Sequence, residues 1–366
     1  MLSWDDLLIG SIRDINLLRR IVCVRFITLL LTFAALVAVG GCTTKRKVSV
    51  PPLLTPMVEA DTAQLLAEVN RLASVRSIRG KIDIQFLDTS FAECGVAEKY
   101  RTADGDVTLQ RPGQVYLVIS APFGVVKIAE MTSDGESFRV AVFQGDEKYR
   151  RFVRGTNSAV YPKLESNGSA GREGAAGKCG GSGDERQEAN MRRAVSSISG
   201  LRPQHLTDAL LVPPAAAEGA NLIYAQTEAF EEEPDTRPGA KRNARIIRSY
   251  YMMVELAPEG AARARVLRRF WFDRVGELRL TRLQTYDERG QLITDVVYKE
   301  PKNFGEGNRY KLPASVELTR PQDRYSLRLS YQAPEAVKID QPYDRDVFVL
   351  ENKSQLPEVD LDAKKK

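Results

Sequence analysis

The run Lys81-Ile82-Asp83-Ile84-Gln85-Phe86 alternates polar and apolar residues one by one, and runs of this kind recur along most of the chain. A period of two sends successive side chains to opposite faces of a strand, so each run has one apolar and one wet face. Such alternation belongs to antiparallel strands with a solvated side. Strands of a parallel sheet, covered on both faces, read as unbroken apolar runs. Tyr325, Leu327, Leu329 and Tyr331 alternate with Ser326, Arg328 and Ser330 in the same way. Further strands are expected over 96–102, 107–110, 114–120, 125–132, 137–143, 148–153, 221–228, 244–256, 263–273, 278–286, 292–298 and 314–318. Turn signals separate them at Asp104-Gly105, Pro112-Gly113, Asp134-Gly135, Gln144-Gly145-Asp146 and Asp287-Glu288-Arg289-Gly290. A charged loop is expected from Glu231 to Arg242.

Helices are few. Asp61 can cap a helix whose Gln64, three residues on, answers it as in a capping box. Leu65, Leu66, Val69, Leu72 and Ala73 then form one apolar stripe, ending near Arg76. Short helices are expected over 190–199 and 203–211, the second with Pro203 in its first turn. The fold class is therefore mainly β with a few helices. Two or three short helices packed flat cannot cover so large an apolar face, so the antiparallel sheet is expected to curl into an incomplete barrel with a helical lid. A curl of this kind encloses an apolar space suited to apolar ligands; a filled core is the alternative. The candidate cavity-lining residues are Ile82, Ile84 and Phe86, Phe270 and Phe272, which alternate with Arg269, Trp271 and Asp273, and Leu65 and Val69 of the first helix.

The N-terminal stretch sets the compartment. Arg19, Arg20 and Arg25 precede an uncharged, mostly apolar run from Phe26 to Val39, which ends in Gly40-Gly41-Cys42. That run is shorter than the roughly 18–20 residues of a membrane-spanning helix and suits a secretory signal. Val39-Gly40-Gly41-Cys42 looks like a bacterial lipobox, with Cys42 as the residue that takes lipid and becomes the mature N-terminus. An uncleaved anchor with a chance cysteine is the bland alternative. Residues 1–41 are read as a lipoprotein signal peptide, and the three aspartates within Met1–Leu18 suggest a start codon placed too early. Residues 42–60 form the lipidated cysteine and a Pro-rich tether, and 61–350 a single domain with a disordered insertion at 165–190. The remainder, 351–366, is read as a polar, frayed tail.

Charge and composition narrow the function classes. Four arginines and three aspartates leave with the signal, so a formal net charge of +5 becomes about +4, and the basic residues are scattered. This argues against a nucleic-acid partner. The single histidine, His205, is read as a surface or partly packed helical residue; it excludes multi-histidine metal sites, and no nucleophile motif accompanies it. No metal and no cofactor is expected, and an envelope hydrolase rests on nothing better than scattered carboxylates such as Asp134, Asp273 and Asp287. Cys94 and Cys179 are the only cysteines left to pair, which the export compartment would permit.

Val75–Phe86, Pro122-Phe123-Gly124, Ser133-Asp134-Gly135 and Leu201-Arg202-Pro203 resemble the corresponding stretches of LolA/LolB-like lipoprotein-sorting proteins. The resemblance covers most of 61–335. It implies an incomplete antiparallel barrel with a helical lid, binding lipid or the acyl chains of lipoproteins in an apolar cavity. The anchored member of that family accepts lipoproteins at the outer membrane, and Cys42 makes this chain look more like it than like the soluble carrier. The expected partners are thus the membrane, through the N-terminal lipid, and lipid or lipoprotein acyl chains. The expected location is the periplasmic face of the outer membrane. The competing reading is a non-enzymatic scaffold that binds envelope proteins.

Overall fold

The computed structural model describes residues 50–88, 98–99, 103–122, 126–144, 147, 150–157, 159, 202–215, 221–260 and 262–363. The first helix, α1 (Thr62–Ala73), opens as its sequence requires. Asp61 accepts from the Gln64 amide at 2.8 Å, and the Gln64 side chain accepts from the Asp61 amide at 2.9 Å. Its stripe buries Leu65, Val69 and Leu72. The second, α2 (Pro203–Leu210), starts on Pro203, which has no amide to leave unpaired.

The strands fall into two runs. The N-terminal run comprises β1 (Ser77–Asp88), β2 (Glu98–Lys99), β3 (Ala103–Gln110), β4 (Gln114–Ser120), β5 (Lys127–Asp134), β6 (Ser137–Val142) and β7 (Arg151–Thr156). The C-terminal run comprises β8 (Ile223–Pro234), β9 (Arg245–Pro258), β10 (Ala264–Asp273), β11 (Arg279–Tyr286), β12 (Leu292–Phe304), β13 (Tyr310–Arg320) and β14 (Tyr325–Tyr331). Two short strands follow, β15 (Lys338–Ile339) and β16 (Glu358–Asp360). All sixteen belong to one sheet, fourteen of them in the order β16-β7-β6-β5-β4-β3-β1-β14-β13-β12-β11-β10-β9-β8, with β2 and β15 each paired to β1. Neighbours are antiparallel except β16, which runs parallel to β7. β1 and β14 join the halves in a register that pairs Ile82 with Tyr331, Ile84 with Leu329 and Phe86 with Leu327. The sheet does not close, and β16 and β8 are its two edges. Its apolar face and both helices form one continuous core, with α1 against β8 and β11 and α2 against β4, β5 and β13.

Several expectations need correction. Asp104-Gly105 is not a turn but lies inside β3, where Gly105 faces Ile82 and Ile119 across the ladder. A Cβ there would come within 2.7 Å of Ile84 Cδ1, so the glycine serves close approach in the wall. The acidic Glu231–Glu233 stretch belongs to β8, where it pairs with β9 down to Pro234–Arg245. The tail is not frayed over 351–363: Leu356 is buried against Phe152 and Ala141, β16 extends the sheet, and Asp362 accepts from the Thr156 amide at 2.6 Å. The signal region, Cys42, Cys94, Cys179, the 165–190 insertion, the 190–199 helix and most of the 96–102 strand lie outside the described residues.

The Pro-rich tract does not stand away from the domain as a tether from Pro52 onward. The Leu54 amide donates to Ile247 O at 2.9 Å, the Ile247 amide to Pro52 O at 2.9 Å, and the Val58 amide to Arg274 O at 2.7 Å. Proline cannot supply every ladder bond, but its carbonyl accepts normally, so the tract lengthens the wall beside β9 where β10 has ended. Arg274, 2% exposed, locks it there. Its guanidinium pairs with Glu59 at 2.6 Å and Glu228 at 2.9 Å, donates to Val58 O at 3.2 Å, and lies 4.1 Å over the Tyr251 ring. Arg274→Met should cost about 3 kcal/mol through these lost charge-assisted bonds. It should also speed cleavage after Glu59 by a Glu-specific protease. Denaturant midpoints and digestion time courses check both, and unchanged cleavage would show that the tract docks without Arg274.

Candidate functional site

The inner face places the seven sequence-derived candidates together. Ile82, Ile84, Phe270, Phe272, Leu65 and Val69 are buried in the one core, and Phe86 packs against it half-buried. Phe270 and Phe272 share a face, their rings 6.5 Å apart, and Phe86 stacks on Tyr325 at 5.8 Å. The side of the sheet was therefore legible, but these residues touch one another and the helices. None of them lines the cavities described below.

Space opens a little further along the inner face. A void of about 20 Å³ lies between Leu72 and Val75, next to α1, Leu210 and Val212, next to α2, and Tyr298, Val316 and Tyr331 of the sheet. That is about one water molecule's worth. Two tyrosine hydroxyls, Tyr298 Oη and Tyr331 Oη, are buried here without a hydrogen-bond partner. Burial pushes both phenols well above their usual range, so they stay neutral donors. Leu72, Tyr298, Leu312 and Pro313 also floor a wider mouth of about 590 Å³, with Leu280 beside them. Its rim is charged: Glu68 and Arg71 of α1, Arg248, Asp273 and Arg279, and Lys299 and Lys311. Asp273, 1% exposed, holds Arg248 at 2.5 Å and Arg279 at 3.1 Å. The arrangement is an apolar floor beneath a polar opening, with the Tyr298 hydroxyl at that floor and the Tyr331 hydroxyl in the void beside it. Periodicity alone gives Tyr331 its inward face but cannot reveal that its hydroxyl goes unpaired.

A second large space lies on the outer face of β1 and β3–β7, under the segment 346–356. Its volume is about 880 Å³, and its lining mixes Arg79, Tyr116, Lys127 and Glu130 with Phe143, Phe152 and Leu350. Tyr116 donates to Glu130 at 3.0 Å and Lys127 to the same carboxylate at 2.7 Å. Burial, then the neighbouring Glu130, pushes the Tyr116 phenol up to about 12. Among the described residues, no group of three or more His, Cys, Asp or Glu side chains could hold a metal ion. No described helix is long and apolar enough to cross a membrane.

His205 is buried in α2, not at the surface, with Nδ1 2.8 Å from Tyr325 Oη. Burial first, then the charges of Arg320 and Arg202, pulls its pKa down to about 3. One turn along, Asp208 reaches solvent but is walled by protein, which pushes its carboxyl up against the pull of Arg320 and Arg111. The histidine titrates near 6.5 when unfolded and near 3 when folded. Between those values the unfolded chain binds the extra proton, so this group's contribution to stability falls as pH drops from about 6.5 toward 3. At pH 4.5 the loss attributable to it is about 2–3 kcal/mol. His205→Gln should remove that part of the slope, as read from urea midpoints at pH 7 and 4.5. An unchanged slope would place the acid sensitivity elsewhere.

No family model matches the chain, and no curated protein matches it. The structure is similar to solved structures at low identity. One is a LolA superfamily protein from Nitrosomonas europaea, with a TM-score of 0.36 and 10% identity, the match covering 80% of this chain and 99% of that one. Another is a DUF1329 family protein from Desulfovibrio piger, with a TM-score of 0.37 and 12% identity, covering 78% of this chain and 95% of that one.

Proposed function

We propose that this chain is a membrane-anchored envelope lipoprotein that binds lipid, or the acyl chains of lipoproteins, inside its curled sheet. It has no catalytic role and is held through lipid on Cys42 at the periplasmic face of the outer membrane. The observation that carries this reading is the unpartnered Tyr298 hydroxyl at the apolar floor of a charged mouth, with the unpartnered Tyr331 hydroxyl in the void beside it. An acyl ester or acid presents apolar chain and a carbonyl acceptor together, and these are the two chemistries the floor offers. Phenylalanine would fill the same volume without an unpaired hydroxyl, each of which costs about 1–3 kcal/mol when buried. Leu72 and Leu210 bring one side chain from each helix to the void, so displacing either helix would enlarge it.

The scaffold reading is favoured by a different observation, the close packing of Phe270, Phe272, Ile82 and Ile84 in the core. Titration with a fluorescent fatty-acid analogue decides between them. The ligand reading expects saturable binding to delipidated protein. Tyr298→Phe and Tyr331→Phe should each weaken it about tenfold while leaving thermal stability equal or higher. A scaffold expects no saturable binding, and then Phe272→Ala costs only stability, about 3–5 kcal/mol.

The anchor is tested separately. Metabolic labelling with a fatty-acid probe should mark the wild-type chain and fail on Cys42→Ala. Equal labelling of the two would exclude lipidation at this cysteine.

A further inference from the structure

The two edges of the sheet are treated differently. β7 is covered by β16, with the Phe152 amide donating to Pro357 O and the Leu361 amide to Arg154 O, each at 2.9 Å. β8 pairs with β9 on one side, and among the described residues nothing pairs with its other side. It is 12 residues long, contains no buried residue, and exposes Ile223 at 49% and Phe230 at 55%. From Ala225 to Glu233 that edge has no described neighbour, and such an edge presents a row of backbone donors and acceptors that bond readily to another strand.

We propose that two copies of this chain pair antiparallel along β8, across a two-fold axis at Ala229. Directly opposed residues in an antiparallel pair point to the same face, so a two-fold axis must pass through a residue position and oppose residues of equal parity. With the axis at Ala229, Glu228 opposes Phe230, Thr227 opposes Glu231, Gln226 opposes Glu232 and Ala225 opposes Glu233. No carboxylate meets a carboxylate. Moving the axis to Glu228 sets that residue against itself, and moving it to Phe230 sets Glu228 against Glu232. An axis at Thr227 also avoids like charges but leaves 232–234 unpaired. The acidic half of the strand thus lies against its uncharged half, which is the complementarity a self-pairing edge requires.

The charges also favour a second copy over a basic peptide. Glu228 is held by Arg274 at 2.9 Å, Glu232 by Arg245 at 2.9 Å and Glu233 by Arg248 at 3.5 Å, all within one chain. Apart from Glu231, what the edge offers outward is backbone and apolar surface. Pro234, without an amide hydrogen, ends the strand and limits pairing beyond it.

Sedimentation of the full chain in mild detergent tests the pairing, and it should show a reversible dimer. Thr227 makes only a 3.5 Å contact to Glu228 O, so it can be changed with little disturbance to the fold. Because residue 227 opposes Glu231 twice per dimer, Thr227→Lys should tighten the dimer and Thr227→Glu weaken it, each by about fivefold. Melting temperatures should be unchanged. In a chain whose Cys23, Cys94 and Cys179 are serine, Ala229→Cys should cross-link with a short bis-maleimide and Ile223→Cys should not. A monomer at about 100 µM, where an edge pairing of this length should be populated, would overturn the proposal. So would Lys and Glu variants that shift the equilibrium in the same direction, or equal cross-linking at 223 and 229.

Discussion

Everything in this molecule follows from the apolar face of one long antiparallel sheet, which has to be kept from water. At about 25 cal/mol for each Å² removed from water, that face dominates the favourable side of folding. The two described helices, of 12 and 8 residues, cannot roof it flat. The sheet therefore turns its two halves toward each other about the β1–β14 seam, and α1 and α2 fill what remains. The demand reaches the backbone at Gly105, where the close approach of Ile82 and Ile84 leaves no room for a Cβ. It also recruits both described ends of the chain. The Pro-rich tract lengthens the wall beside β9, and the segment after β14 crosses the outer face to lie beside β7.

Where local chemistry and tertiary demand agree, the fold was legible. The Tyr325–Tyr331 strand, the Asp61 capping box and the mainly antiparallel class are all written in periodicity and capping residues. They occur where those signals place them. Where the two disagree, the sequence misleads in understandable ways. Asp-Gly favours a turn locally, yet at 104–105 the wall needs a strand without a side chain. Three successive glutamates have low strand propensity, yet Arg245 and Arg248 across the ladder neutralise two of them, so β8 runs through. The tail looks too polar to pack, because Leu350 and Leu356 fit neither helical nor strand spacing and Val359 and Leu361 make only one short strand-like pair. They cover scattered spots rather than one face.

The candidate site was half legible for the same reason. Alternation tells which side chains face inward, and all seven chosen residues do so. It carries no information on how well they fill the space between them. That depends on where two helices, distant in sequence, come to rest. Tyr298 and Tyr331 belong to the same inward rows and differ from their neighbours only in a hydroxyl whose surroundings the sequence does not describe.

Those hydroxyls contrast with three buried charges of the wall that are paired at short distances, although other buried atoms such as Thr132 Oγ1 and Tyr343 Oη lack partners as well. Glu255, 2% exposed, is clasped by Arg268 through two bonds at 2.6 and 2.8 Å and by the Tyr224 hydroxyl at 2.8 Å. Asp273 is held by Arg248, Arg279 and the Val275 amide. Arg274 has four partners besides the Tyr251 ring. Networks so completed fix one arrangement of the wall, and removing any member leaves another group buried and unpaired. Tyr298 and Tyr331 are the reverse case. Their rings pack in the core, Tyr331 edge-on against Phe304, but their hydroxyls bond to nothing in the wall, so phenylalanine at either position would keep the packing. Tyr298 lies at the floor shared by the void and the wider mouth, with Tyr331 in the void beside it, so under the proposed function an acceptor reaching that floor from outside the chain would meet an open donor there.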